Sequence, residues 1–370
     1  LHVVSFNIPY PPDNGGLIDV FAKVKALHAI GIQVVLHCFE YDRPPHPELN
    51  RYCKEVHYYV RKSGLTYFFN HLPYIVKSRQ SDKLISRLAQ DNFPILFEGL
   101  HCCYYLNDER LKNRILAVRS HNIEHDYYAG LEKAESNVFK RFYFNLEAKK
   151  LCKFESVYQF ASLIFAISPN DKNHFEKHYS NTHLVSAFHL NEVVNISTGK
   201  GNFALYHGSL SVPENNQAAL WLVNEVFSRL SLPLKIAGNH ASVELRAAIA
   251  RHENIQLVEN THVDEIRQLV HEAHVNILPT FQATGIKLKL LMALFNGRFC
   301  IANRQMIQNT GLESLCIEAN GAEEMKAAIL STFGKEFDDE QIQKRKEILE
   351  SDFSNFNNAK KIDSLIFGNL

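Results

Sequence analysis

Two histidines and a glutamate stand together in the segment HNIEH at residues 121–125. The spacing is that of inverted zinc proteases, in which both histidines bind zinc from one face of a helix. Here the segment directly follows an apolar strand-like run at residues 114–118, so a loop is predicted instead. A zinc hydrolase that uses His121, His125 and Glu124 stays a minor hypothesis, and no metal site is predicted.

A pair of glycines, Gly15 and Gly16, lies between the first strand-like run and the first helical pattern. Backbone N–H groups without side chains at a helix N-terminus can approach a phosphate closely. The alternative is a tight turn that needs a positive φ, and this loop alone leaves both interpretations open. A second glycine pattern, Gly199-Lys200-Gly201, precedes a strand, so it indicates a flexible linker and no nucleotide loop.

The segment at residues 279–297 leaves a strand, turns through Gly285 and enters an amphipathic helix that ends at Gly297. Lys287 and Lys289 fall in the first turns of this helix. Cations there oppose the helix dipole, and a bound anion would offset that cost. The alternative is that both lysines are ordinary exposed charges.

Residues 61–90 combine six basic side chains and one acidic side chain with several aromatic rings. A basic and aromatic surface of this kind could dock on an anionic membrane or a lipid-linked acceptor. The alternative is a solvated helix with a few core aromatics. The residues that would form the surface are Arg61, Lys62, Tyr67, Phe68, Phe69, Lys77 and Arg79.

These candidate residues are spread over an alternation of short apolar runs and helical patterns, which predicts doubly wound parallel sheets. Helical stretches are expected around residues 80–90, 102–112 and 137–153. The first series of strands is predicted at residues 2–6, 33–38, 56–60, 94–97, 114–118 and 163–167. The second series is predicted at residues 203–206, 234–237, 255–258, 275–278 and 298–302.

The two series predict two Rossmann-like domains that face a central cleft at the carboxyl ends of both sheets. The N-terminal domain is assigned to residues 1–188 and the C-terminal domain to residues 203–351. The polar and glycine-rich stretch at 189–202 is the predicted linker. The helix at 352–370 lies outside the alternation.

Composition limits the kinds of partner. The 370 residues carry 40 basic and 40 acidic side chains, so there is no net positive charge to hold nucleic acid. The longest apolar runs fall short of a membrane span, and no signal peptide is recognised, so a cytoplasmic protein is expected. The seven cysteines form no C-x-x-C pair, which is typical of reduced thiols.

Five motifs in series resemble the family 4 (group 1) glycosyltransferases of the GT-B fold. They are YPPDNGG at 10–16, RSHNIEH at 119–125, YHGSL at 206–210 with Glu214-Asn215, IAG at 236–238 and TGIK at 284–287. The resemblance implies two Rossmann-like domains, with the C-terminal helix returning to the N-terminal domain. It further implies a nucleotide diphosphate sugar as donor, no separate cofactor, and transfer with retention and without a metal.

The resemblance also assigns roles to single residues. His121 would act at the reacting sugar, and Gly15 and Gly16 would line the donor. The other positions that it implies for donor binding are Gly208, Ser209, Gly238, Thr284, Gly285, Ile286, Lys287 and Met292. Two of these depart from the family pattern, because Thr284 and Met292 stand where the family has glutamates.

The sequence thus predicts a hexosyltransferase that acts on a glycan or lipid-linked saccharide, in the cytoplasm or at the inner face of a membrane. Lys287 would supply the positive charge that the departing nucleoside diphosphate requires. The alternative is a non-catalytic GT-B homologue that acts as a binding or scaffolding subunit. Thr284 and Met292 favour this alternative, because neither is the glutamate of the family pattern and the thioether of Met292 cannot accept a useful hydrogen bond from a ribose.

Overall fold

A computed structural model describes residues 1–64, 67, 70–135, 137–281 and 288–368. The chain divides into two compact units. The N-terminal unit comprises Leu1–Leu190 and Phe353–Leu370, and the C-terminal unit comprises Asn191–Asp352.

The N-terminal unit is built on a seven-stranded sheet in the order β3-β2-β1-β4-β5-β6-β7, with every pair parallel. Its strands are β1 (His2–Ser5), β2 (Val35–Glu40), β3 (Glu55–Val60), β4 (Ile95–Glu98), β5 (Leu116–Ser120), β6 (Leu163–Ala166) and β7 (Thr182–Leu184). Every residue of β1, β4 and β5 is buried, because helices cover both faces of a parallel sheet. The strand order reverses between β1 and β4, which is where ligands bind in folds of this class.

Helices connect these strands. They are α1 (Gly15–Ala29), α2 (Tyr74–Lys77), α3 (Asp82–Leu88), α4 (Glu124–Ala134), α5 (Val138–Phe154) and α6 (Pro169–Glu176). Short 3-10 helices occur at Pro47–Arg51, Leu100–Tyr105, Glu109–Leu111 and Glu155–Phe160. The helix predicted around 102–112 is therefore replaced by two 3-10 helices. Cys103 has non-helical backbone angles within the first, and the Asp108 side chain caps the second.

The last helix of the chain belongs to the N-terminal unit. This helix, which becomes α14 in chain order, spans Asn355–Phe367 and packs against α1. Its buried Ala359, Ile362 and Ile366 share one apolar core with Phe21 of α1.

The C-terminal unit has a six-stranded parallel sheet in the order β10-β9-β8-β11-β12-β13. Its strands are β8 (Ala204–His207), β9 (Leu234–Ala237), β10 (Ile255–Val258), β11 (Val275–Leu278), β12 (Phe299–Ala302) and β13 (Ile317–Glu318). Its helices are α7 (Pro213–Trp221), α8 (Val243–Ile249), α9 (Val263–Glu272), α10 (Leu288–Asn296), α11 (Arg304–Ile307), α12 (Ala322–Phe333) and α13 (Asp339–Asp352). A π-helix at Leu222–Val226 continues α7, and 3-10 turns lie at Phe227–Arg229 and Glu313–Leu315.

The polar stretch at 189–202 is anchored at several points. The Asn195 amide donates to the Phe295 carbonyl at 2.8 Å, and Gly199 pairs with Phe337 in an antiparallel bridge. Asn296 donates to the Asn191 side chain at 2.8 Å. Most of this stretch is therefore fixed to the C-terminal unit.

Among the described residues, no helix has the length and apolar character needed to cross a membrane.

Candidate active site

The carboxyl ends of β1, β4 and β5 bring three side chains together in the N-terminal unit. Glu98 is the last residue of β4, His121 directly follows β5, and Phe6 directly follows β1. His121 Nε2 lies 3.0 Å from Glu98 Oε2, and the Phe6 ring stands edge-on to the His121 ring at 5.6 Å between centroids. This places the predicted His121 at the point where the strand order reverses.

Glu98 and His121 belong to a buried ion network that also includes Asp19, Lys23 and Arg119. Lys23 Nζ donates to Glu98 Oε2 at 2.8 Å and to Asp19 Oδ2 at 3.0 Å. Arg119 Nη2 donates to Asp19 Oδ1 at 2.9 Å, and the Phe188 amide donates to the same oxygen at 2.8 Å. Burial raises the pKa of Asp19, but the charges of Arg119 and Lys23 outweigh burial and hold it well below its usual value.

The glycine pair lies beside this network. Asn14 caps α1 by accepting from the Leu17 amide at 3.3 Å, so Gly15 and Gly16 form its first residues. A Cβ on Gly16 would lie 2.8 Å from Phe6 Cζ, whereas a Cβ on Gly15 would meet nothing within 4 Å. Gly16 therefore packs on the ring that contacts His121, and Gly15 has open space around it.

The half-buried His101 and the buried Glu124 form a second pair of ionisable groups near His121. His101 Nδ1 lies 3.8 Å from Glu124 Oε1, and the His101 ring packs against Phe6. Burial raises the pKa of Glu124 to about 8 and lowers the pKa of His101 well below its usual value. At neutral pH this pair is therefore a protonated carboxyl beside an uncharged imidazole.

The structure separates the residues of the H-x-x-E-H pattern. His121 lies in the loop after β5, as predicted, while Glu124 and His125 begin α4. His121 pairs with Glu98, and His125 Nδ1 lies 3.3 Å from Glu155 Oε2. No group of metal-ligating atoms within the described part of the chain contains both histidines, so the zinc hydrolase hypothesis loses its ligand set.

In the C-terminal unit, the loops after β8 and β9 pack closely through their glycines. A Cβ on Gly238 would lie 2.0 Å from the Gly208 carbonyl oxygen, so only glycine fits there. Asn215 Nδ2 donates to the Ser209 carbonyl at 3.0 Å and holds the first loop against α7. Gly208, Ser209 and Gly238 thus form one surface at the carboxyl ends of neighbouring strands.

Polar side chains from α7 and α10 border these loops. Lys289 Nζ donates to Asn215 Oδ1 at 3.0 Å and lies 5.3 Å from the centre of the Tyr206 ring. Thr280 donates to Glu214 through its hydroxyl, and its amide donates to Asn303 at 3.0 Å. Lys289 therefore places a positive charge near the carboxyl end of β8.

Four of the predicted donor residues, Thr284, Gly285, Ile286 and Lys287, lie outside the described residues. Met292 lies on α10, half-buried, and packs against the apolar cluster of Phe203, Leu205, Ala237, Val270 and Ala273. The thioether at this position thus takes part in packing within the C-terminal unit.

The predicted basic and aromatic surface is only partly exposed. Arg79 is 5% exposed and donates to the backbone carbonyls of Phe6 and Ile75, so its assignment to a surface was wrong. The Arg61 guanidinium stacks on Tyr41 and Tyr74. Lys77 Nζ donates to Gln80 at 2.7 Å and to the Tyr104 hydroxyl at 3.3 Å, while Lys62 and Tyr67 are half-buried. Phe68 and Phe69 lie outside the described residues.

Asp19, Lys23 and Glu98 belong to the site but were not predicted from the sequence. The pattern of Asp19 and Lys23 could have indicated a buried ion pair, because they are charges four residues apart on a helix whose other facing residues are apolar. Glu98 ends an apolar strand, and its partner Lys23 is 75 positions away in the chain. No local pattern indicates a contact at that separation.

Comparison with known proteins gives three kinds of match. Residues 201–334 match the family model described as Glycosyl transferases group 1. A protein of Klebsiella pneumoniae, named an uncharacterized protein in the cps region, is 28% identical over 328 residues, which is 84% of each chain.

Solved structures match over the whole chain. HepE from Anabaena, in complex with UDP and glucose, has a TM-score of 0.66 and 13% identity over 100% of this chain and 99% of its own. A TarM variant from S. aureus, in complex with fondaparinux, α-GlcNAc-glycerol and UDP, has a TM-score of 0.66 and 11% identity over 99% of each chain. WaaG, a glycosyltransferase involved in lipopolysaccharide biosynthesis, has a TM-score of 0.65 and 11% identity over 99% of each chain. The predicted resemblance to group 1 glycosyltransferases and the predicted fold class of two Rossmann-like parallel-sheet domains are confirmed.

Proposed function

We propose that this chain, which has the GT-B fold of the glycosyltransferases and whose residues 201–334 match their group 1 family, is a family 4 hexosyltransferase. It transfers a hexose from a nucleotide diphosphate sugar to a glycan or a lipid-linked saccharide. The sugar keeps its anomeric configuration, and the transfer step uses no metal.

The observation that carries this proposal is the pairing of Glu98 with His121. A carboxylate that accepts from His121 Nε2 at 3.0 Å fixes the plane of the imidazole ring, and the buried Lys23 fixes that carboxylate in turn. A ring held in this way is preorganised to bind a sugar hydroxyl or charge that develops on the reacting sugar. Glu98 and Lys23 act as positioning residues, and His121 is the catalytic residue.

For the donor, we propose UDP-hexose. HepE and TarM, which share the fold, were both solved with UDP. Gly208, Ser209 and Gly238 would line the nucleoside diphosphate, and Gly15 and Gly16 would border the transferred sugar. A positive charge at the carboxyl end of β8, from Lys289 and from the predicted Lys287, would stabilise the departing diphosphate without a metal ion.

For the acceptor, we propose a saccharide of the cell surface, presented at a membrane. WaaG is involved in lipopolysaccharide biosynthesis, and the Klebsiella relative is named for its cps region. The first turns of α5 supply a membrane-docking face of apolar and basic side chains. Val138, Phe139 and Phe142 are 73%, 86% and 66% exposed, with the exposed Lys140 and Arg141 between them.

Vesicle binding tests this docking face. We expect the wild-type chain to sediment with vesicles that contain anionic lipid and to bind neutral vesicles much more weakly. The double variant Phe139→Ser and Phe142→Ser should lose most of this binding, while Phe356→Ser, at an exposed phenylalanine of α14, should not. Equal binding by the wild type and the double variant would refute the assignment of this face.

A thermal-shift screen tests the donor assignment. UDP-hexoses should raise the melting temperature in the presence of EDTA, and GDP- and ADP-sugars should raise it less, because a ligand stabilises the state that binds it. If no nucleotide sugar stabilises the protein, this result supports the alternative of a non-catalytic homologue, in which Thr284 and Met292 have replaced the two glutamates of the family pattern. Hydrolysis or transfer of a UDP-hexose by the purified chain would exclude that alternative.

A further inference from the structure

A second cluster of ionisable side chains lies beyond the pairing of Glu98 and His121. His125 stands in the first turn of α4, Glu155 begins the 3-10 helix after α5, and His174 lies on α6. His174 Nε2 lies 2.9 Å from Glu155 Oε1, and His125 Nδ1 lies 3.3 Å from Glu155 Oε2. One ligating atom from each residue lies within 4.8 Å of the others.

We propose that His125, Glu155 and His174 bind a zinc ion that joins α4, the end of α5 and α6. Two imidazole nitrogens and one carboxylate oxygen are a common protein ligand set for zinc. Metal bonds would replace the contacts that these atoms now make with one another, and the protons displaced from the histidines would leave to solvent.

The charge of this cluster differs from that of the buried ion network. Asp19, Glu98 and His121 also place three ligating atoms together, but the Lys23 ammonium donates to both carboxylates and occupies the position of a cation. Glu155 receives no such partner, because no lysine or arginine of the described residues forms an ion pair with it. The partners of Glu155 are the two imidazoles, which can bind a metal ion together with it.

Unsatisfied polar atoms surround the cluster. His125 Nδ1 is buried and makes no hydrogen bond of good geometry, so its lone pair or proton lacks a proper partner. Asp171, one turn before His174 on α6, buries Oδ2 without a hydrogen bond, and Glu124, next to His125, does the same with Oε1. Buried polar atoms are nearly always satisfied, so the His125 nitrogen is available to bind an ion that the hydrogen bonds of this chain do not replace.

The cluster is also open to solvent on one side. The side chains of His125 and His174 are 20% and 25% exposed, and that of Glu155 is 10% exposed. A zinc ion could therefore enter, and a water molecule could complete its coordination. Because α4 begins three residues after His121, the ion would stabilise the helix that follows the catalytic loop.

Metal content of the purified chain tests the proposal. After dialysis against Zn²⁺ and passage through a desalting column, we expect one zinc per wild-type chain. His174→Gln and Glu155→Gln should bind zinc at least about 100-fold more weakly, because each removes one of three protein ligands. The matched control His178→Gln, at an exposed histidine just beyond α6, should bind like the wild type.

Cobalt supplies an independent measurement on the wild-type chain. Co²⁺ should give visible absorption bands of a four- or five-coordinate site, and the bands should survive alkylation of the thiols because the ligands are histidine and glutamate. The proposal is overturned if the wild type retains no stoichiometric zinc, if His174→Gln and His178→Gln bind zinc equally, or if alkylation abolishes the cobalt bands. These readouts do not depend on transferase activity.

Discussion

At the scale of single residues, the N-terminal site depends on a balance of buried charges. Asp19 and Glu98 face Lys23 and Arg119 within hydrogen-bond distance, and all four side chains are shielded from solvent. Removing one partner of such a network costs about 3–5 kcal/mol, because the remaining charge stays buried. The network is therefore a rigid support for His121, which lies at its more exposed end.

Replacing His121 should separate catalysis from stability. His121→Ala removes the imidazole but leaves Lys23 as the partner of Glu98, so the ion network keeps its charge balance. We expect kcat to fall by about 100- to 10,000-fold, the range for an acid, base or charge-stabilising group, with little change in melting temperature. The matched control His178→Ala should keep full activity. Wild-type turnover by His121→Ala would contradict the assigned role.

The buried His207 predicts a loss of stability in acid. Burial, and next the charge of Lys289, lower the pKa of His207 to about 3. In this pH range the unfolded chain binds a proton at His207 and the folded chain does not. The free energy of unfolding therefore falls as the pH drops from about 6.5 toward 3. One such group contributes at most about 1.4 kcal/mol for each pH unit.

Urea unfolding followed by tryptophan fluorescence measures this effect, because the single tryptophan, Trp221, lies on α7 of the same unit. Between pH 7 and pH 5 the wild type should lose more stability than His207→Gln. The control His240→Asn, at an exposed position with positive φ that asparagine tolerates, should follow the wild type. Identical pH slopes for wild type and His207→Gln would contradict the assignment.

At the scale of elements, the glycine loops act in two distinct ways. Gly238 permits the loops after β8 and β9 to approach, since a Cβ would clash with the Gly208 carbonyl. Gly15 has empty space around it, so a side chain there would not disturb the fold. Gly238 thus serves packing, and the open space at Gly15 is where we propose that the donor sugar lies.

Two alanine substitutions distinguish these roles. Gly238→Ala should destabilise the C-terminal unit by about 1–3 kcal/mol, as overpacking does, and shift the Trp221 fluorescence transition. Gly15→Ala should leave the urea midpoint within experimental error, yet reduce the thermal stabilisation by a UDP-hexose because its methyl group enters the donor space. If Gly15→Ala binds the donor like the wild type, this loop does not border the ligand.

Most strands and the main helices were predictable because their apolar residues are continuous and buried. The two strands that the sequence analysis missed, β7 and β13, have three and two residues, too few for a pattern. In the site, the loop position of His121 was predictable, since it follows an apolar strand, whereas Gly15 and Gly16, which were expected in a loop, begin α1. The ion network was not predictable, because its pairs join distant segments. Arg79 was misassigned because backbone carbonyls, which no sequence pattern reveals, satisfy its guanidinium.

At the scale of the whole molecule, the N-terminal unit is built from two segments of the chain that are separated by the whole C-terminal unit. The final helix α14 completes the core of the N-terminal unit, although the whole C-terminal unit precedes it in the sequence. A hydrogen bond joins the two segments of the N-terminal unit where the chain leaves it and returns to it. Asn355 Nδ2 donates to the His189 carbonyl at 2.7 Å. The N-terminal core therefore needs a segment that follows the whole C-terminal unit in the sequence.

A core substitution in α14 should consequently weaken the unit at the other end of the sequence. Ile366 is fully buried in the core that includes Phe21, so Ile366→Ala should cost about 2–5 kcal/mol. The loss should shift the urea transition of the N-terminal unit in circular dichroism, whereas the fluorescence of Trp221, which reports the C-terminal unit, should keep its midpoint. The control Leu330→Ala, at an exposed leucine of α12, should shift neither transition. A parallel shift of both signals in Ile366→Ala would mean that the two units unfold as one, because α14 then stabilises both.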